Sequence, residues 1–318
     1  MKSRKEQVID LWRTCFGDPE LFIRLFFEQV YRDTYTLTLE REGRVISALQ
    51  ILPYTLNYYG EAVPVGYICG VSTWPEERDK GYMKQLMAQA EVELRRRGLV
   101  LATLIPAEPW LFDYYARMGY TTAFDYGWKN YDFVGLTDTP ADLFLQAERF
   151  PDTDLPALHT YLDRKLRERP ICLLHTATDL KVNLIDFWQS GGGVFTLRNT
   201  TKQIVGMAFV LYEAATNELL IKEWLTEDEA TPHLFAQLLM RHFQAKRAVI
   251  KSPATTAADG HPFAMAHLVN SDALCRVWLR HHPGAASMEE LRAMSPQLLT
   301  QLLLDYPQRA AFMSLMLD

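Results

Sequence analysis

Four cysteines in 318 residues, Cys15, Cys69, Cys172 and Cys275, lie far apart and form no CxxC pair. That spacing builds neither a disulfide framework nor a thiolate metal site, and it suits a reducing cytoplasm. Positive charge is scarce as well: 33 Lys and Arg stand against 39 Asp and Glu, a net charge of −6. Without a basic excess to displace phosphate counterions, nucleic acid and anionic membrane are poor partners, while a cationic substrate stays open. Long apolar runs are also missing. The first residues, MKSRKEQVIDLWRTCF, are amphipathic where a signal peptide needs an unbroken apolar stretch, and no other run approaches membrane length. The expectation is a soluble, cytoplasmic protein without a metal. What is present is ordinary: 48% apolar and 23% charged residues, at a length that favours two domains or one with an appendage.

Hydrophobic periodicity orders the chain. Helices are expected over Gln7 to Cys15 and from about Pro19 to Val30, then a strand from Tyr35 to Leu39, a turn at Glu42-Gly43 and a strand from Val45 to Tyr59. A pair of short strands follows between Glu61 and Trp74. A helix opens after Gly81 and stops at Arg95-Arg96-Arg97-Gly98, an apolar strand covers Leu99 to Leu104, a short aromatic helix Pro109 to Met118, and Tyr120 to Phe133 supplies terminal strands. From Asp154 the order starts again: two helices, with the second over Thr178 to Gln189, then strands at Val194 to Arg198, Ile204 to Tyr212 and Glu218 to Trp224, a helix Pro232 to Phe243 and a strand Ala248 to Lys251. This reads as an internal structural duplication. The remainder carries a strand-like run at Met265 to Val269 and two helices, the last of them the apolar AAFMSLML.

The chemistry concentrates in GVSTWPEERDKGYMKQL, Gly70 to Leu86. A β-prone run leads through Pro75 and a charged turn to Gly81 at the mouth of an amphipathic helix. Strand, turn, glycine, helix is the order a pyrophosphate site needs, because the first turn of a helix leaves amides unpaired at the positive end of the macrodipole. In the second half Thr226-Glu227-Asp228-Glu229 puts carboxylates at the corresponding place, where an anionic phosphate is unwelcome.

Residues 71 to 84 resemble motif A of the GNAT superfamily of N-acetyltransferases, an apolar strand, a Pro, then (Q/R)xxGx(G/A) opening a helix; Arg78, Gly81 and Met83 occupy the three motif positions. Met83 departs from the usual Gly or Ala and is similar to the enhanced-intracellular-survival branch, whose loop reads RRRGxL. Tyr115-Ala-Arg-Met-Gly119-Tyr120 resembles the family's YxxxG(F/Y) segment. The resemblance implies a mixed α/β (α+β, mixed sheet) architecture of tandem GNAT-like acyl-CoA N-acyltransferase folds: a catalytic domain at 1–135, a degenerate one at 136–251 and a C-terminal segment, 252–318, packing on the core. It implies acetyl-CoA as cosubstrate, Tyr115 as proton donor, and the C-terminal carboxylate of Asp318 as a base entering the pocket.

Acetyl transfer from a thioester to an amine needs an anchored coenzyme, a stabilised oxyanion and proton traffic. Amides of Asp79, Lys80, Gly81, Tyr82, Met83 and Lys84 would hold the pyrophosphate, Lys80 and Lys84 would add charge, and Val71, Ser72 and Thr73 would pair with the pantetheine arm. A phenol near pKa 10 can share a proton with a thiolate near 8.5, values typical of free side chains. Bland readings stand beside these: a turn glycine at Gly81, Tyr115 as one ring among Trp110, Phe112 and Tyr114, Arg95 to Arg97 as a solvated helix end, Gly191 to Gly193 as a loop, structural histidines at His261 and His267, and an exposed helix end at His281-His282. The reading favoured is an N-acetyltransferase acting on a primary amine of a small molecule or peptide, with a homo-oligomer allowed. An idle acyl-CoA-binding sensor and a tRNA-dependent aminoacyl transferase are the alternatives, the latter disfavoured by the acidic balance.

Overall fold

The computed structural model describes residues 2–135, 142–228, 231–254, 259–307 and 311–317. Ser3 caps the first helix, α1 (Arg4–Phe16), in a reciprocal box with Glu6, and Gly17 ends it at φ +68°. Helix α2 (Glu20–Leu25) runs on into a π-helical turn, Phe26–Val30. Strands β1 (Thr36–Arg41) and β2 (Arg44–Tyr58) join through Glu42 and Gly43, both at positive φ as a tight hairpin requires. The next stretch is not a pair of short strands but one continuous strand, β3 (Glu61–Thr73). Helix α3 (Tyr82–Arg96), β4 (Leu101–Leu104), α4 (Pro109–Ala116) and β5 (Thr121–Asp132) complete the first run.

Then come β6 (Leu143–Glu148), α5 (Leu155–Arg167), β7 (Ile171–Leu174), α6 (Ala177–Gln189), β8 (Gly193–Asn199), β9 (Ile204–Glu213), β10 (Glu218–Thr226), α7 (Thr231–Phe243) and β11 (Arg247–Ser252). The last stretch holds β12 (His261–Leu268), α8 (Ser271–His281), α9 (Met288–Ala293), α10 (Pro296–Leu303) and β13 (Ala311–Phe312). Among the described residues no helix is long and apolar enough to cross a membrane.

All strands share one sheet, ordered β13-β7-β2-β3-β4-β12-β5-β11-β10-β9-β8-β6, with β1 on β2. The repetition read from periodicity is topological. In the first half β1, β2 and β3 pair antiparallel in succession, and β3 pairs parallel with β4 across α3. In the second, β8, β9 and β10 do the same, and β10 pairs parallel with β11 across α7.

The pairings place or revise several of the expected elements. The strand-like run near Met265 is β12, inserted between β4 and β5 with antiparallel pairing on both sides. Tyr120 to Phe133 is therefore a single strand, whose first half pairs with β12 and whose second half pairs with β11, stitching the two runs together. The expected apolar terminal helix is instead an extended segment: Ala311 and Phe312 pair parallel with β7, and Met313 to Met316 stay buried. Its polar groups find partners outside itself, since His175 Nε2 donates to the Ser314 carbonyl at 2.9 Å and Asn183 donates to the Leu315 carbonyl at 3.3 Å. Strands β6 and β7 lie where no strand was expected.

The core has a layer on each face of each half. Val8, Trp12, Phe26, Trp278 and Leu303 cover one face of β2–β4, while Leu86, Ala90, Leu94 and Tyr115 cover the other. In the second half α5 and α6 pack on one face and α7 on the other.

Candidate active site

The acids of the charged turn after β3 are paired, Glu76 with Arg44 at the start of β2 at 2.6 Å and Glu77 with Lys80 at 2.9 Å. Asp79 and Gly81 both adopt positive φ, +62° and +79°, which turns the backbone into α3. Nothing lies within 4 Å of where a Gly81 Cβ would be, so that side of the helix mouth is open. Helix α3 opens without a side-chain cap and without an acidic residue in its first turn, and its entry bond runs from the Gln85 amide to the Gly81 carbonyl. Among the described residues no hydrogen bond engages the amides of Asp79 to Lys84. Met83 packs its side chain against the cluster of Leu86, Met87 and Ala90 on the body of the domain. Six unpaired donors thus lie at and just before a helix N-terminus, with the bulky motif residue packed on the core.

Just upstream, β3 bulges. Ala48 pairs with Ser72 and Gln50 with Cys69, so β3 carries one extra residue at Gly70-Val71. Glycine is required there: φ is +59°, and a Cβ would stand 2.0 Å from Gln50 Oε1 and 2.3 Å from the Trp12 ring. Beyond the bulge Ser72 and Thr73 are buried and tied down, the Ser72 carbonyl accepting from Ser47 Oγ at 2.7 Å and the Thr73 carbonyl from Arg78 Nε at 3.4 Å. Arg78 thus braces the strand end.

Val71 and Tyr115 meet at one cavity of about 980 Å³, which runs from the ends of β3 and β4 across to α6, β10 and β11, with Leu315 to Leu317 on its wall. Tyr115 is buried in α4, and burial, with Tyr114 adding to it, pushes the phenol well above its usual value, so it stays protonated at any working pH. Burial likewise drives the Cys69 thiol up, which removes the nearest candidate nucleophile. Arg78 to Lys84 lie outside the cavity, at the helix mouth.

Residues 1–123 match the family model for an acetyltransferase (GNAT) domain. The N-terminal part of the chain is a GNAT acyltransferase domain. Such domains draw on an acyl-CoA donor. A probable N-acyltransferase of unknown function from Enterococcus faecalis superposes with a TM-score of 0.70 at 14% identity, covering 84% of this chain and 70% of that one. Eis1 from Mycobacterium abscessus gives 0.66 at 14% identity, covering 87% and 74%. A tandem GNAT protein from the clavulanic acid biosynthesis pathway gives 0.51 at 14%, covering 83% and 94%. At these identities the likenesses speak for fold, that of a tandem GNAT. No curated protein sequence matches the chain.

The GNAT domain and its counterpart part company at the helix start. In the second half the Asp228 carboxylate accepts from the Thr231 amide and hydroxyl, both at 2.7 Å, filling the donor that a phosphate would take, while Glu227 is bound by Arg164. Glu229 and Asp318 lie outside the described residues; Leu317, next to Asp318, lines the cavity. Arg95 to Arg97 are not simply a solvated end. Arg95 donates to the Val269 carbonyl at 2.9 Å, and Arg97 to the Thr34 and Ile51 carbonyls at 2.8 and 3.0 Å, whereas Arg96 stays exposed on its own helix, paired with Glu93 at 2.6 Å. His267 bridges the Gly119 carbonyl and Glu91, both at 3.2 Å, and His261 stacks on Tyr126. No group of three or more metal-ligating side chains occurs among the described residues.

Sequence reasoning missed most of the cavity wall away from the motifs: Trp12 and Asp18 before the first strand, Lys222 on β10 and Lys251 on β11. No local pattern marks them, because hundreds of residues separate side chains that the shared sheet brings together.

Proposed function

We propose that this protein is an acetyl-CoA-dependent N-acetyltransferase that acetylates a primary amine, with its coenzyme held by the first half alone. One observation carries the reading: a helix mouth with its amides unpaired follows a strand whose bulge shares a cavity with a buried, protonated tyrosine. The amides of Asp79 to Lys84 would hold the coenzyme diphosphate, with Lys84 the nearby cation not already paired. The main chain of Val71 to Thr73 would receive the pantetheine arm. Acetyl-CoA, when bound, supplies a thioester carbonyl activated for attack.

The remaining roles fall to the chain. The bulge at Gly70-Val71 breaks the ladder beside the cavity, and an amide freed there would supply the oxyanion donor. Tyr115 keeps its proton until a thiolate forms beside it and then supplies it. The Asp318 carboxylate, following Leu317 at the cavity wall, would accept the amine proton. Leu315 to Leu317, immediately before it in the chain, line that cavity.

Calorimetric titration with acetyl-CoA, followed by thiol release over a panel of aminoglycosides, polyamines and amino-acid amines, tests the reading. Binding together with turnover supports it. Binding without turnover on any amine leaves an acyl-CoA sensor, and failure to bind revives a different donor such as an aminoacyl-tRNA. Deleting Asp318 decides the base: unchanged turnover sinks that role.

A further inference from the structure

Helices α1 and α2 cover the face of β2–β4 opposite α3 and Tyr115. The turn between them brings Phe16, Leu21 and Phe22 to the cavity. Phe16 is 38% exposed and Leu21 50%, so two large apolar side chains stand in water at the cavity's edge. Their places are set by the chain: Gly17 ends α1 at φ +68°, and Pro19 precedes α2. The Phe16 ring lies 4.9 Å from that of Trp12, whose indole donates to Asp18 at 2.7 Å. Single apolar side chains on a surface are ordinary, whereas a group of them bordering a cavity marks a face that a ligand covers.

The same cavity runs on past the ends of β3 and β4 to Phe187, Leu211 and Phe263. The charged side chains on its wall, among the described residues, are Asp18 and Asp186 against Lys222 and Lys251. Two acids against two lysines leave no net charge with which to select a polycation or an anion. Much of that charge is also engaged within the protein. Asp18 accepts from Trp12, the Lys251 ammonium lies 3.1 Å from the centre of the Phe263 ring and 4.8 Å from that of Tyr126, and Asp186 is engaged as well. Asn183 donates to the Asp179 and Leu315 carbonyls at 2.9 and 3.3 Å. Apolar surface is what remains for recognition.

We propose that the acetyl acceptor is a monoamine with an apolar body, an alkyl or arylalkyl amine, seated against Phe16, Leu21 and Phe22. This rests on the N-acetyltransferase reading above. With the coenzyme held at the mouth of α3 on one face, the acceptor reaches the thioester from the other, its amine leading and its hydrocarbon trailing over the exposed side chains. The amine nitrogen bonds to the acetyl carbon as the carbon–sulfur bond breaks. The amine proton leaves to the base, the sulfur gains one from Tyr115, and the hydrocarbon is unchanged.

The test follows acetylation of propylamine, butylamine, pentylamine, hexylamine and 1,6-diaminohexane by the full-length protein and its Leu21→Ser and Leu21→Met variants. In the parent kcat/KM should rise about fourfold per methylene, as burial of one CH2 gives, and the diamine should fall below hexylamine because its far ammonium replaces a methyl group on apolar surface. Leu21→Ser should flatten the rise, and Leu21→Met should restore it. Hexylamine titrated calorimetrically, with free coenzyme A present, supplies a readout without turnover: it should bind with a negative heat-capacity change and more weakly in Leu21→Ser. Such binding with no amine acetylated would keep the apolar seat and overturn acetyl transfer alone. A flat series in the parent, a diamine at least as good as hexylamine, or hexylamine binding indifferent to Leu21→Ser would overturn the seat.

Discussion

The two halves of this chain run the same path, strand, bulge, helix and parallel strand, and put the bulge to different uses. In the first half the extra residue lies at Gly70-Val71, where a glycine lets Trp12 and Gln50 close over the backbone, and the helix that follows is left uncapped. In the second the extra residue is Lys222, and the helix that follows is capped by Asp228. A capped helix is the more stable element, since a good cap contributes about 1 kcal/mol. An uncapped one leaves donors for a ligand. On the proposed reading, this difference is what gives coenzyme binding to the first half alone.

The comparison breaks most visibly at Tyr115. Tyr115→Phe removes the proton donor while leaving the helix mouth intact, so kcat should fall by about 10²–10⁴-fold with acetyl-CoA affinity kept, read by steady-state kinetics beside calorimetry. Gly70→Ala forces a Cβ into Gln50 and Trp12 at a left-handed φ, and should cost about 3 kcal/mol of stability in thermal or urea unfolding. A Gly70→Ala protein as stable as its parent would mean that the bulge relaxes freely.

Exchanging the helix starts sharpens the contrast. Gly81→Asp puts a carboxylate where the second half has one and should weaken acetyl-CoA binding about tenfold or more. Asp228→Ala should cost about 1 kcal/mol of stability and create no second coenzyme site. The smallest effect concerns His175, which holds the terminal segment through the Ser314 carbonyl. Burial holds His175 below its usual range, against the pull of Asp179 and of its bond to the Ser314 carbonyl. A histidine depressed in the folded state contributes stability that is present above its free value of about 6.5 and is lost as pH falls. Melting temperature should therefore decline between pH 7.5 and 5.5, with a shallower slope in His175→Gln.

Much of the fold was legible because its signals are local. Capping residues, glycine stops and the 3.6-residue spacing mark α1, α3 and α5, and the Gly81 turn reads directly as a helix mouth. The repeated order of elements identified the duplication. What could not be read is non-local. Strand β12 is short and reaches its place between β4 and β5 only through pairings with residues well over a hundred positions away. The terminal segment has helix-forming residues, but its backbone is claimed by β7, His175 and Asn183, so tertiary contacts overrode its propensity. The site divides in the same way: the Gly81 loop and Tyr115 carry motifs, whereas Lys222 and Lys251 are two lysines among many until the sheet is assembled.

Acetyl-CoA titration of the parent, Gly81→Asp and Asp228→Ala, followed by calorimetry, bears most directly on the claim that only the first half holds coenzyme. The account predicts a single site per chain, lost or much weakened in Gly81→Asp and unchanged in Asp228→Ala. A second site in the parent, or binding indifferent to Gly81→Asp, would contradict it.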